Sequence, residues 1–438
     1  FLDDSLLPEN QEKLVIQVAP YGPEFLPSDS DDIPVTMDEQ VQKAVDCYNA
    51  GATVLHVHVR EADGKGSKRL SMFNEMLARL REAVPKMVLQ VGGSISFAPE
   101  SEGAEARWLN DDTRHMLAEL NPVPDQVTIA INTNQMNVCE LLTADDVAGT
   151  SLALPPYQEA YREMWIPSGP AFVAEHLKRL QAAGIQAHFM LGDAGQLETV
   201  ERLIRNGVYK GPLVLNWVAI GGGADGPSPY NMMEFIRRVP DGAVLTLEAL
   251  MRNVLPINTM AIAMGLHVRV GIEDNLWGRK GERITSVQQV EQMVRISREL
   301  HREVASGDDA RRILRVRHAE ADHHELVGAQ EIQLVLVAEY APLDAVQGRE
   351  HARLKILVAN RVAAGDGVVL VGRGDAGVRE FFRDQQRFLA CARAGDEDVE
   401  DVADFDALLG LGVLAVHVDL AALDGALSFR ARLEQARD

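Results

Sequence analysis

The chain has 438 residues, 46% of them hydrophobic and 25% charged, and its 65 acidic against 43 basic side chains give a net charge of −22. That balance argues against a nucleic acid or an anionic membrane surface as the main partner, and the length allows one large or two ordinary domains. No apolar run reaches the roughly 18 residues of a membrane span, and Cys47, Cys139 and Cys391 are too scattered for a metal site or a disulfide framework, so a reducing cytoplasm is expected.

In chain order, FLDDSLLPEN lacks the pattern of a signal peptide, and the chain opens on Phe1 rather than Met. KLVIQVA (13–19) reads as a strand, followed by the helical pattern MDEQVQKAVDCYNA and a second strand, TVLHVHV (53–59). MVLQVGG (87–93) and QVTIAIN (126–132) come next; then the helical FVAEHLKRLQAAG leads to IQAHFML (185–191). QLETVERLIRNG, again helical, precedes LVLNWVAI (213–220), VLTLEAL (244–250) and HVRVGIE (267–273). Eight strand-then-helix units in about 300 residues predict an α/β fold, a (β/α)₈ TIM barrel whose active site lies at the C-terminal strand ends. A doubly wound open sheet is the competing arrangement.

The polar residues fall where such a barrel would use them. In TVLHVHV a period of two puts His56 and His58 on one side and Leu55, Val57 and Val59 on the other. In the eighth strand the same period groups His267, Arg269, Gly271 and Glu273 opposite Val268, Val270 and Ile272. Strands two and eight both flank strand one in a closed barrel, so the His pair and Glu273 could converge. Two imidazoles and a carboxylate form a three-ligand set that leaves a position open, the pattern of catalytic zinc, although another divalent metal would fit. A lone buried His is more often a hydrogen-bonded core residue; the i,i+2 pair and the polar eighth strand tip the balance toward a metal.

HVHVRE (56–61), the ADGKGSKRLSMF that follows and HVRVGIEDN (267–275) resemble the β-keto acid cleavage enzymes, a group that includes 3-keto-5-aminohexanoate cleavage enzyme. The likeness runs from about residue 13 to 316. It implies a homo-oligomeric, zinc-dependent barrel that takes a β-keto acid and acetyl-CoA and yields acetoacetate and a new acyl-CoA. By resemblance the zinc ligands are His56, His58 and Glu273, and Arg269 and Asp274 form a catalytic dyad. Asn132 and Arg252 match substrate-binding positions, and Gly221, Gly222 and Gly223 of IGGGADGP match a turn that could receive CoA. Glu24, in VAPYGPEFLP, matches a Glu of relatives that act on amino-bearing keto acids, and implies an amino or trimethylammonium group on the substrate.

Two departures bear on substrate identity. Where the family usually has Ser or Thr after strand three this chain has Gly92, with Ser94 two residues on as the candidate catalytic replacement, and His188 and Met190 stand where relatives commonly carry acidic residues. An amidohydrolase-like metal hydrolase is the alternative, but it would carry His-x-His on the first strand. A metal or acyl-CoA binding barrel without catalysis is the third reading.

The resemblance ends near residue 316, so a barrel domain of 1–316 and an extension of 317–438 are expected. EIQLVLVAEY, ARLKILVANRV, GVVLVG and VLAVHVDL read as strands of a small α/β or α+β unit whose function the sequence does not indicate. Gly372, Gly374 and Gly377 follow a nucleotide fingerprint, but no acidic residue ends a following strand, which disfavours it. The cluster His318, Asp322, His323 and His324 reads as a solvated linker.

Overall fold

The computed structural model describes residues 4–22, 24–93, 97–99, 106–108 and 111–316, and beyond them five strands. The chain divides into two compact units, Phe1–His318 and Ala319–Asp438.

The first unit is a closed barrel of eight parallel strands. They are β1 (Ile16–Val18), β2 (Val54–Val57), β3 (Val88–Val91), β4 (Gln126–Ala130), β5 (Gln186–Leu191), β6 (Val214–Ala219), β7 (Val244–Ala249) and β8 (His267–Val270). All eight lie inside the strands read from the sequence. β1 closes the ring between β2 and β8, pairing Gln17 with both Arg269 and Val54.

One helix follows each strand: α1 (Met37–Ala50), α2 (Leu70–Ala83), α3 (Asp111–His115), α4 (Pro170–Ala182), α5 (Ala194–Arg205), α6 (Pro229–Arg238), α7 (Val254–Ala263) and α8 (Ser286–Glu299). Local chemistry sets several ends. Thr36 and Glu39 form a reciprocal capping box at the start of α1, and Gly51 ends that helix at φ 119°. Thr285 and Gln288 do the same for α8. The outward strand residues Leu55, Val57, Leu89, Val91, Val268 and Val270 are buried against this helical ring.

A further helix, α9 (Gly307–Leu314), covers the N-terminal end of the barrel, where Ile313 and Leu314 cluster with Val15, Val54, Val88 and Val214. Arg311 fixes it through a buried pair with Asp125, 2.9 Å long. At the opposite end, the loop between β4 and α4 is the most elaborated. It carries the short helices Ala144–Val147 and Pro155–Arg162 and a two-stranded piece pairing Asn134–Gln135 with Trp165–Ile166.

In the second unit the described strands form one antiparallel sheet. They are β9 (Ile332–Tyr340), β10 (Ala352–Asn360), β11 (Val368–Gly372), β12 (Leu414–Ala421) and β13 (Ser428–Gln435), in the order β11-β10-β9-β12-β13. Four of them coincide with the strands read from the sequence; β13 is additional. The glycine motif begins at the end of β11, whose partner β10 runs antiparallel to it, unlike the parallel βαβ setting of a dinucleotide fingerprint. Gly374, Gly377, His318, Asp322, His323 and His324 lie outside the described residues.

Candidate active site

Alternation along β2 carries His56 inward, and the next inward position, just beyond the strand, belongs to His58. Glu273 arrives differently. The sequence predicts a strand through residue 273, but β8 ends at Val270, and Gly271 turns the chain at φ 136°. A Cβ at position 271 would overlap the backbone of Ala19, so only glycine lets the turn press against β1. Glu273 N–H then donates to the Ala19 carbonyl at 3.1 Å and fixes the residue over the barrel mouth.

His56 Nε2 and His58 Nε2 are 3.1 Å apart, and they lie 3.5 and 3.7 Å from Glu273 Oε1. One ligand atom from each of these residues falls within 4.8 Å of the others, and all three residues are buried. Burial holds the His56 imidazole well below its ordinary range, so it is neutral and able to offer a lone pair. Burial pushes the Glu273 carboxyl up, yet the neighbouring Arg269 charge outweighs it and keeps the group well below the carboxylate range. A cluster of two imidazoles and an ionised carboxylate, with Glu273 Oε2 buried and unpartnered, fits a divalent cation.

Two glycines make the room. A Cβ at Gly92 would overlap the His58 ring and come within 2.8 Å of His56 Nε2, and a Cβ at Gly22 would overlap both Glu273 and Glu24. Gly92→Ala is therefore expected to lower divalent-metal affinity by about 10-fold or more, since overpacking costs about 1–3 kcal/mol. Calorimetric titration of the folded variant checks this; wild-type affinity would show that the imidazoles tolerate the methyl group.

Arg269 is the central charge. It donates to both oxygens of Asp274, at 2.9 and 2.8 Å, and to Glu273 Oε1 at 2.7 Å, while Glu248 Oε2 lies 3.4 Å away. Its Nη1 is buried without a partner. Burial pushes Asp274 up to about 6 against the pull of Arg269, and pushes Glu248 up to about 8. Asp274 is thus poised near neutrality, where a general base is useful. Glu248 is beyond motif reading, although Thr246 and Glu248 sharing the inward side of VLTLEAL are its signal; Asn216 donates to it from β6.

Glu24 lies beside Glu273, and its Oε2 is buried without a partner. Burial, then the charge of Glu273, raise this carboxyl well above its ordinary range. Buried Arg60, the last residue of His-x-His-x-Arg, holds the loop in place by donating to the carbonyls of Gly22, Phe25 and Gly64.

Other sequence candidates fall elsewhere. Asn132 is exposed at φ 65° and donates to Thr199 on α5, and Arg252 pairs with Asp146 at 2.9 Å. Gly221, Gly222 and Gly223 make a tight turn of consecutive positive φ, in which the Gly222 N–H is already held by the Glu140 carboxylate. His188 is buried with Nδ1 unpartnered and is lowered to about 3 by burial. Ser94 lies outside the described residues.

The comparison that decides the family follows the same boundaries. The model of the beta-keto acid cleavage enzyme family matches residues 13–316. The chain belongs to the β-keto acid cleavage enzyme family. It is 28% identical over 307 residues to the 3-keto-5-aminohexanoate cleavage enzyme of Acetoanaerobium sticklandii, covering 69% of this chain and 98% of that one. The Fusobacterium nucleatum protein of the same name is 27% identical, with 69% and 98% covered. The 3-dehydrocarnitine:acetyl-CoA trimethylamine transferase of Rhizobium meliloti is 24% identical, with 66% and 92% covered. This β-keto acid cleavage enzyme has, among its described residues, no helix long and apolar enough to cross a membrane.

Proposed function

We propose that the chain is a zinc-dependent β-keto acid cleavage enzyme that exchanges acyl groups between a cationic β-keto acid and acetyl-CoA. The observation that carries the reading is the convergence of His56, His58 and Glu273 beside the carboxyl of Glu24, whose Oε2 is buried without a hydrogen-bond partner. His56, His58 and Glu273 would hold the ion, which when bound supplies Lewis-acid charge for the ketone oxygen. The keto acid carboxylate fits the unpartnered Nη1 of Arg269, with Asn132 and Arg252 as further substrate candidates from the resemblance. Asp274, oriented by two hydrogen bonds from Arg269, takes the proton from the carbon between ketone and carboxylate.

The bonds balance without another reactant. The deprotonated carbon joins the acetyl carbonyl carbon, CoA leaves as the thiolate, and the thiolate adds to the ketone carbon. Scission of the original carbon–carbon bond then releases a new acyl-CoA, and the carbon regains its proton in acetoacetate. Ser94 is the remaining candidate for contact with the reacting groups. The Gly221–Gly223 turn is the candidate approach for CoA, with Glu140 as the group a phosphate would displace.

Glu24 supports the substrate class. A carboxylate desolvated alone costs several kcal/mol or protonates, and a substrate ammonium or trimethylammonium group would relieve that penalty. The names of the relatives include an amino-bearing keto acid and 3-dehydrocarnitine, beside 3,5-dioxohexanoate and 3-oxoadipate, so it is Glu24 rather than the names that favours the cationic class. The net charge and scattered thiols support a reducing cytoplasm, and a homo-oligomeric state belongs to the same reading, with sedimentation as its measurement.

The test is a panel of neutral, anionic and cationic β-keto acids incubated with acetyl-CoA and followed by mass spectrometry. Cationic acids are expected to give acetoacetate and the matching acyl-CoA fastest, and Glu24→Gln to lower their kcat/KM by about 10-fold while sparing neutral ones. A wild-type preference for neutral or dicarboxylic acids would overturn the substrate class, and hydrolysis independent of acetyl-CoA would overturn the reaction.

A further inference from the structure

Four barrel strands each place a glutamine on the inner face: Gln17 on β1, Gln90 on β3, Gln126 on β4 and Gln186 on β5. Interior positions of such barrels are usually filled by branched aliphatics, so a layer of amides needs a reason. Gln17, Gln90 and Gln126 are buried, and their side chains bond to one another.

The direction of these bonds is determined at one end. Gln186 Nε2 donates to the carbonyl of Leu314, at the end of α9, at 2.9 Å. A backbone carbonyl only accepts, so Gln186 must turn its amide nitrogen toward it and its Oε1 toward β4. Gln126 Nε2 donates to that oxygen at 2.6 Å, which leaves Gln126 Oε1 to accept from Gln90 Nε2 at 2.9 Å. Gln90 Oε1 is then the only atom its amide can present to His56 Nδ1, 2.7 Å away, and it also accepts from Gln17 Nε2 at 3.1 Å. An acceptor facing Nδ1 requires a proton there, so the Nε2 lone pair is bare on the side facing His58 and Glu273.

We propose that the Leu314–Gln186–Gln126–Gln90 relay is a positioning device that fixes His56 as the Nδ1-protonated tautomer, and so prepares its Nε2 as a ligand before any ion arrives. Reversing one amide would set oxygen against oxygen and leave a buried donor unpaired, which costs about 1–3 kcal/mol per group. The relay carries the direction of a carbonyl at the base of the barrel across three strands to the metal-binding edge. It rests on the metal reading for its purpose, but the tautomer itself is a property of the metal-free chain.

Both levels are measurable in the full chain. With histidines labelled by ¹⁵N, the His56 ring, identified by its absence in His56→Ala, is expected to show the Nδ1–H pattern without metal, and to shift toward Nε2–H in Gln90→Met. Zn²⁺ alone, titrated against a competing chelator, is expected to bind Gln90→Met about 10- to 100-fold more weakly than wild type, as for other groups that orient a ligand. Gln90→Glu keeps the acceptor and should recover most of that affinity. Gln126→Met, which does not touch His56, should show a smaller loss and a mixed tautomer; if Gln90→Met fails to fold, these two variants decide. An unchanged ¹⁵N pattern in Gln90→Met, or in Gln126→Met if the former is unfolded, would overturn the relay. Weak zinc binding by wild type with the expected tautomer would overturn the metal reading and leave the relay standing.

Discussion

His56→Ala and Glu273→Ala are each expected to be purified with little bound divalent ion and to turn over about 10³-fold or more slowly than wild type. Each substitution removes one of three buried ligands and with it the several kcal/mol of charge stabilisation an ion can supply at a ketone oxygen. The loss should be local. Leu55 and Val57, which flank His56, stay packed in the apolar core on the outer face of β2, and Arg269 retains Asp274 when Glu273 is removed. Circular dichroism melts should therefore remain cooperative, while elemental analysis reports the metal. Full metal content in both variants would remove the triad from the account.

Asp274→Asn should separate binding from chemistry. Asp274 is not one of the three ligand residues, so the variant is expected to hold as much metal as wild type. Its amide cannot take a proton, and turnover should fall about 10²- to 10⁴-fold, the range for a positioned acid or base. A sharper readout needs no acetyl-CoA: wild type should exchange the protons between ketone and carboxylate with deuterium oxide, and the variant should not. Unchanged exchange would assign the proton transfer to another group, with Glu248, pushed up to about 8, as the next candidate.

Much of this site is legible in the sequence because strand alternation is a short-range rule. The runs around β2 and β8 place His56 and Arg269 on the inner face from spacing alone, and the ring order makes them near neighbours. Where the chain leaves regular structure the rule fails. The period of two extends β8 to Glu273, but the positive φ of Gly271 ends the strand three residues early, and a hydrogen bond to Ala19 brings Glu273 to the imidazoles instead. Gly22 and Gly92 matter for what a methyl group would strike, and that neighbour is distant in sequence. The glutamine relay left a trace, an amide in strands one, three, four and five, but its meaning depends on a carbonyl at Leu314. Arg252 shows the reverse case, since its partner Asp146 lies in the long loop after β4, whose folding no periodicity describes.

The most direct test of the central claim is to follow the acetyl group. Acetyl-CoA labelled with ¹³C in both acetyl carbons is incubated with the metal-loaded enzyme and the best cationic β-keto acid of the panel, with a chelated sample alongside. The account predicts that both labelled carbons appear in acetoacetate, that the new acyl-CoA is unlabelled, and that chelation stops both products together. Label remaining in acetyl-CoA or released as acetate while the keto acid is consumed, or product formation undiminished by chelation, would contradict it.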